Sequence, residues 1–156
     1  AKDGISIAAR NYPGIIWAVA NLADLPLADH SFDVLLNVFT PFNQQEFKRI
    51  LKQDGIILKV IPEEGYLGEL RDIFYKNSDL ETYSNQDVVA NFKQHFAILE
   101  TKRVTYQFKL EGEQLSHLVN MTPLAWGAAP ENIRKVTDMG EINITVDVVI
   151  LVGGKR

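Results

Sequence analysis

Apolar residues in this chain fall first into short unbroken runs and later into alternation, and the change of period divides it. The unbroken runs are Ile15-Ile16-Trp17-Ala18-Val19-Ala20, Phe32-Asp33-Val34-Leu35-Leu36-Asn37-Val38-Phe39 and Gly55-Ile56-Ile57-Leu58-Lys59-Val60-Ile61-Pro62. Runs of this length suit strands covered on both faces, as in a parallel sheet, so three buried strands are predicted. Before the first lies Asp3 to Arg10, in which Ile5, Ala8 and Ala9 share a helical face until Tyr12-Pro13-Gly14 stops it, because proline disfavours helix in the residue before it. Between the second and third runs, Asn43 to Lys52 sets Phe47, Ile50 and Leu51, with Phe42 just ahead, against Gln44, Lys48 and Lys52. That is a helix fit for the right-handed crossover between parallel strands, closed by a turn at Asp54-Gly55.

After Pro62, Leu67, Leu70, Ile73 and Phe74 again keep helical spacing over Leu67 to Tyr75, and polar Asn77 to Gln86 reads as a loop. Ala97 to Leu110 and Glu141 to Val152 then alternate apolar with polar residues and are rich in β-branched side chains, which predicts an antiparallel pair. Helices are expected between them, at Gly112 to Asn120 and after Pro130. Strands alternating with helices and ending in an antiparallel strand pair describe an open α/β sheet of the nucleotide-binding kind.

Composition narrows the function classes. The 156 residues are 46% hydrophobic and 23% charged, ordinary for one domain able to bury a core. No apolar run approaches the roughly 20 residues that span a bilayer, so no membrane partner is expected, and Ala1 to Arg10 lacks the apolar block of a signal peptide. The first residue is Ala, and the chain reads as cut from something longer. Zero cysteines exclude a disulfide framework and a thiolate zinc site within these residues, and His30, His95 and His117 are too scattered to suggest a metal. His30, Ser31 and Asp33 are the residue types of a hydrolytic triad, but adjacency in sequence is not triad geometry. A formal net charge of -4 does not by itself draw a surface to polyanionic RNA. Lys102, Arg103 and Lys109 share one predicted strand but not one face, so they read as a solvated surface.

In open α/β sheets ligands bind beyond the carboxyl ends of the strands, which directs attention to Ala20-Asn21-Leu22, Asn37 to Pro41 and Pro62-Glu63-Glu64. The segment Asn21 to Asp33, with Leu25-Pro26-Leu27 and Ser31-Phe32-Asp33, resembles the stretch that class I methyltransferases place after their third strand. Arg49-Ile50-Leu51-Lys52-Gln53-Asp54-Gly55 is similar to the joint before their fifth strand, although Gln53 and Asp54 depart from the usual Pro-Gly. Pro62 with Leu67 to Tyr75, and above all Asn120-Met121-Thr122-Pro123-Leu124-Ala125-Trp126, narrow the resemblance to the bacterial 23S ribosomal RNA guanine-N1 methyltransferases. Tyr66 stands where that family tends to have a histidine.

The resemblance implies a Rossmann-like class I methyltransferase sheet that is truncated at its N-terminus. The family's glycine-rich turn, its ribose-gripping acid and its cysteine-rich zinc module are all expected upstream of Ala1. It implies S-adenosylmethionine as cofactor, zinc only in the missing part, ribosomal RNA as partner of the full-length protein, a cytoplasmic location and a fragment inactive alone. Asn21 is expected to hydrogen-bond the adenine amino group, with the Leu22 backbone N–H reading a ring nitrogen and Asn37, Val38 and Phe39 lining the cleft near the methionine moiety. Tyr66 and Trp126 are placed to stack on an extruded base, and Glu63 and Glu64 are general-base candidates for the N1 proton.

Each residue has a plainer alternative: a turn for Asn21, core packing for Leu22 and Trp126, solvated loop acids for Glu63 and Glu64. A small-molecule methyltransferase and a non-catalytic interaction domain are the competing functions. Sheet edges left open by the missing strands would favour a homo-oligomer.

Overall fold

Four strands form one mixed sheet in the computed structural model, which describes residues 2–76 and 78–156. In chain order the elements are α1 (Lys2–Asn11), β1 (Phe32–Val38), α2 (Gln44–Ile50), β2 (Leu51–Pro62), α3 (Gly68–Tyr75), α4 (Gln86–His95), β3 (Phe96–Glu111), α5 (Glu113–Met121), a 3-10 turn (Pro123–Gly127), α6 (Pro130–Thr137) and β4 (Glu141–Lys155). The strand order is β1-β2-β4-β3, with β1 and β2 parallel and β4 antiparallel to both its neighbours. The α/β sheet and its closing antiparallel pair are therefore as expected.

The β1–α2–β2 crossover follows from local chemistry. Asn43 Oδ1 accepts the Glu46 N–H at 3.1 Å, capping α2, and Phe47 and Ile50 bury the inner face. The helix ends at Ile50 rather than Lys52, because Leu51 already pairs with Phe32. The register then jumps to Val34 opposite Ile56, so the residues between form a bulge where a turn was expected at Asp54-Gly55. Gly55 fits because a Cβ there would lie 2.7 Å from Leu51 Cγ.

Three expectations are corrected. Ile15 to Ala20 is not a strand: among the described residues it has no ladder partner, and Ile16 is 98% exposed. An apolar run becomes a strand only when a neighbour satisfies its backbone groups. Nor is the second run covered on both faces, since Val34, Leu36 and Val38 of β1 are exposed on one side of the sheet. Helix α4 went unpredicted because its apolar residues, Val88, Val89 and Phe92, lie among polar ones, although Phe92 is fully buried. Asn77, the first residue of the expected loop, lies outside the described residues.

Two clusters make the core. Phe47, Leu51, Ile57, Ile61, Phe92, Phe96, Val149 and Leu151 fill the space between the sheet and helices α2 and α4, with Phe92 and Phe96 stacked at 5.4 Å. Leu67, Leu70, Phe74, Val119, Val136 and Ile144 join α3, α5 and α6 to the far part of β4. The β3–β4 ladder runs on past the Pro62–Val148 pair to Glu111–Glu141, a two-stranded arm of roughly 20 Å. The helices on that arm face α3 across the end of the sheet.

A buried carboxylate fixes the loop between β2 and α3. Asp147 on β4 is 2% exposed and accepts from Arg103 Nε at 2.8 Å and Nη2 at 2.6 Å, from Thr105 Oγ1 at 2.8 Å and from the Gly65 backbone N–H. Gly65 is required by the approach, since a Cβ there would stand 2.7 Å from Asp147 Oδ2. Arg103 is thus not merely part of a solvated surface. Its bond, chiefly, holds the Asp147 carboxyl below its ordinary 3.8 against the opposing effect of burial. Asp147→Asn is expected to lower stability at neutral pH by about 2 kcal/mol. Because the native value is depressed, that contribution is present above the unfolded value and lost as pH falls through the native one. Urea unfolding of both proteins at neutral pH and in acid should show the gap closing in acid.

Candidate functional site

The ends of β1 and β2 form a common rim. Because the two strands are parallel, Asn37 to Thr40 and Pro62 to Glu64 leave the sheet at one end, and the Phe39 N–H donates to Val60 O at 3.1 Å. The segment before β1 is led toward the same end by α2. Arg49 pairs with Asp29 at 2.7 Å and donates to Leu27 O at 2.7 Å and Leu25 O at 2.9 Å, while Glu46 accepts the Leu25 N–H at 2.8 Å. Running from Asp29 back to Leu25 therefore follows α2 from its last turn to its first, the turn next to the end of β1. Arg49, and then the Leu25 N–H, lower the Glu46 carboxyl to about 2, so this tether stays charged throughout the physiological range.

Asn21 lies just beyond this tether. Its backbone O accepts the Asp24 N–H at 3.1 Å and its Oδ1 accepts the Ala23 N–H at 3.0 Å, so the turn alternative is realised in the geometry. A carbonyl oxygen has two lone pairs, and one remains for a ligand. Leu22 packs its side chain against the first core cluster, while its N–H has no acceptor among the described residues.

Asn37 turns inward rather than toward a ligand. It is 6% exposed; its Nδ2 donates to Thr40 Oγ1 at 2.6 Å and Pro41 O at 3.1 Å, and its Oδ1 accepts from Lys59 Nζ at 2.7 Å. Lys59, 2% exposed, also donates to Thr40 O at 3.3 Å and lies 5.3 Å from the centre of the Phe42 ring, with no carboxylate partner among the described residues. Burial lowers its pKa. This network sets the Thr40-Pro41 corner and forces the residue before it, Phe39, to a φ of 52°, a conformation uncommon for so bulky a side chain. Val38 stays in the β1 ladder opposite Val60.

Beside the rim opens a cleft of about 720 Å³. Phe39, Thr40, Lys59 and Pro62 line the sheet side; Tyr66, Arg71 and Tyr75 line the α3 side; Tyr83, Val88 and Met121 to Leu124 complete it. The Phe39 and Tyr66 rings meet at 5.1 Å. Tyr75 Oη donates to Leu124 O at 2.6 Å, tying α3 to the 3-10 turn, and Glu69 reaches from α3 to the Thr145 N–H at 3.0 Å. Burial chiefly raises the Tyr66 and Tyr83 phenols above their ordinary value, so both are neutral donors. Among the described residues no Asp or Glu lines the cleft.

Phe39 and Tyr66 meet on the cleft lining, whereas Trp126 does not join them. It is 81% exposed and lies outside both the cleft and the core, although its neighbours Met121 to Leu124 line the wall. Glu63 and Glu64 are also outside the cleft lining; the Glu63 N–H donates to Asp147 O, and both carboxylates help hold the Arg103 guanidinium charged. Lys59, Arg71, Tyr75 and Tyr83 are the cleft residues that sequence reading passed over. Only Lys59 carried a signal, as a lone cation inside an apolar strand run.

The chain can now be set beside known proteins. No protein-family model matches it. The Bacillus subtilis (strain 168) protein YxjB, provisionally named a 23S rRNA (guanine-N(1)-)-methyltransferase, is 41% identical over 155 residues, 99% of this chain and 55% of its own length. The 23S rRNA (guanine(748)-N(1))-methyltransferase of Streptomyces fradiae is 30% identical over 97% of this chain and, again, 55% of its own length. Both relatives carry the name of 23S rRNA guanine-N1 methyltransferases, and the likeness runs over nearly the whole of this chain. The chain spans about half the length of these curated relatives. Among solved structures, YcgJ from Bacillus subtilis matches all of this chain and 80% of its own at a TM-score of 0.54 and 16% identity. A protein provisionally titled a methyltransferase, from Bacillus halodurans C-125, matches 98% of this chain and 79% of its own at 0.56 and 13%. Likeness at that identity establishes the fold, that of a Rossmann-like class I methyltransferase sheet.

Tyr75→Phe removes the Tyr75–Leu124 bond that joins α3 to the 3-10 turn across the cleft. It is expected to lower stability by about 1 kcal/mol, and in hydrogen exchange to increase opening at Leu124 to Ala128 while the β2–β4 ladder stays protected.

Proposed function

We propose that these residues form the acceptor-side half of an S-adenosylmethionine-dependent enzyme that methylates guanine N1 in 23S ribosomal RNA. The observation that carries this reading is the position of Phe39. It stands, in a left-handed conformation, where β1 ends, and its side chain lines the aromatic cleft. A methyl donor along the rim and a base in the cleft would meet across that one residue. The rim fits an adenosyl group through the unused Leu22 N–H and the second lone pair of Asn21 Oδ1. The cofactor supplies the methyl group on a sulfonium.

Held along the rim, the cofactor would offer an electrophilic methyl carbon to N1 with its thioether as leaving group, and the N1 proton would be left to solvent. The chain contributes chiefly by position, which in such displacements supplies much of the acceleration. Phe39 and Tyr66 hold the base by its faces, and the Lys59–Asn37–Thr40 network keeps the Phe39 corner from relaxing. Neither Glu63 nor Glu64 lines the cleft, so neither is assigned the proton. Trp126, exposed beside the cleft wall, is placed to stack on nucleotides flanking the target. Zinc, on this reading, belongs to the portion of such a protein that these residues do not contain, and an enzyme acting on ribosomal RNA works in the cytoplasm.

A second reading, methylation of a small molecule, is favoured by the charge. The net charge is -4, and Arg103 and Lys109 are engaged by Asp147, Glu111 and Glu141 rather than free for phosphates. Incubating a polypeptide of the relatives' length that includes these residues with methyl-labelled cofactor and 23S RNA separates the two. Label recovered as N1-methylguanine is expected, and label that never enters RNA would favour the small-molecule acceptor. In the same polypeptide Asn21→Ala should weaken cofactor binding by about 1 kcal/mol, the worth of one hydrogen bond, as read by calorimetry. Unaltered affinity would take Asn21 out of the site.

A further inference from the structure

Arg71 is the cleft residue whose chemistry is left unused. It lies on α3, its Nη1 donates to Leu80 O at 3.2 Å, and its guanidinium sits 5.4 Å from the centre of the Tyr83 ring. Its Nε–H is buried with no acceptor. Buried donors are nearly always satisfied, so the guanidinium, steadied by a carbonyl and a ring, is not fully matched by the chain's own acceptors. No ion pair engages Arg71 among the described residues, and no carboxylate lines the cleft it faces. The other cation of the lining, Lys59, likewise has only neutral partners. The cleft is therefore aromatic on its faces and cationic at its polar points, inside a chain whose net charge is -4.

Such a cleft selects for the edge of its ligand. A planar guanidinium fork matches two adjacent acceptors, and among the bases only guanine offers that pair, O6 and N7, on one edge. Adenine presents an amino group beside N7, and cytosine presents an amino donor; each would set N–H against N–H. Resting on the methyltransferase reading above, we propose that Arg71 is the specificity-determining residue of the cleft, donating from its two terminal nitrogens to O6 and N7 of the guanine. With that edge held on α3, N1, the ring atom next to the C6 carbonyl, is on the side free to turn to Phe39 and the rim. Arg71 acts here as a binding residue and takes no part in proton transfer.

The test is a nuclear magnetic resonance titration of the chain with guanosine, inosine and adenosine 5′-monophosphates, following the Arg71 Nε–H resonance. Guanosine and inosine monophosphates, which share O6 and N7, should bind about tenfold more tightly than adenosine monophosphate, a factor within the range of one bidentate contact, and should shift that resonance. Arg71→Met should bring the three affinities together. Arg71→Lys keeps a cation beside Tyr83 but replaces the planar fork with a point donor, so it should reduce the preference without abolishing it and guards against a folding defect. A preference that survives Arg71→Met, or equal affinities in the unaltered chain, would overturn the assignment. If RNA labelling in the relatives-length polypeptide persists in that case, only the role of Arg71 falls; if labelling also fails, the methyltransferase reading falls with it.

Discussion

The Asp147 carboxylate is the contact on which the rest of the site depends. It lies on the central antiparallel strand, takes a bidentate grip from Arg103 and a hydroxyl from Thr105 on the neighbouring strand, and accepts the Gly65 N–H from the loop that leaves β2. A buried carboxylate is tolerable only when its lone pairs are met, and here β3, β4 and the loop must all be in register to meet them. Two residues on, the Leu67 N–H bonds Thr145 O, and Glu69 takes the Thr145 N–H. Loop and helix α3 are thereby sewn along β4, which places Tyr66, Arg71 and Tyr75 on the wall of the cleft. The other wall hangs from the same two strands, because β3 and β4 run past the rim and carry α5, the 3-10 turn and α6. One ladder thus sets the width of the cleft.

The rim is set differently, by a network with no carboxylate. Lys59, Asn37 and Thr40 satisfy one another beneath the surface, and the strain of closing the corner appears in the backbone of Phe39. Strain of that kind persists where surrounding contacts over-determine the conformation, and it is commonest where a protein must present one side chain in one place. The two arrangements divide the labour. The β4 side gives a rigid aromatic wall that carries Arg71, and the β1 side gives an abrupt edge between two binding regions.

Much of this was legible in the sequence wherever a single period governed a segment. The crossover helix, α3, α5, α6 and the antiparallel pair all follow from apolar spacing, and the terminal residues of the parallel strands pointed to the rim. What could not be read depended on distant partners. Ile15 to Ala20 has the composition of a strand, yet composition cannot supply the neighbour that a strand requires. Asn37 looked like a polar strand end facing a ligand, and its inward turn is decided by Lys59 on the next strand. Arg103 looked solvated because its partner, Asp147, lies 44 positions away. Arg71 gave no sign at all, since an arginine on an amphipathic helix is ordinarily a surface residue and its orphaned Nε–H exists only once Leu80 and Tyr83 fold over it. The Met121 to Trp126 run was informative for another reason: its first four residues build the cleft wall, while Trp126 itself faces solvent.

The central claim is that rim and cleft are two halves of one site meeting at Phe39. A crystal structure of a relatives-length polypeptide containing these residues, with S-adenosylhomocysteine and guanosine 5′-monophosphate both bound, tests it most directly. The account predicts the adenosyl group against Asn21 and Leu22, the guanine between Tyr66 and Arg71, and the sulfur and N1 converging on Phe39. An adenosyl group bound at the opposite end of the sheet, near His30 and Lys155, would contradict it.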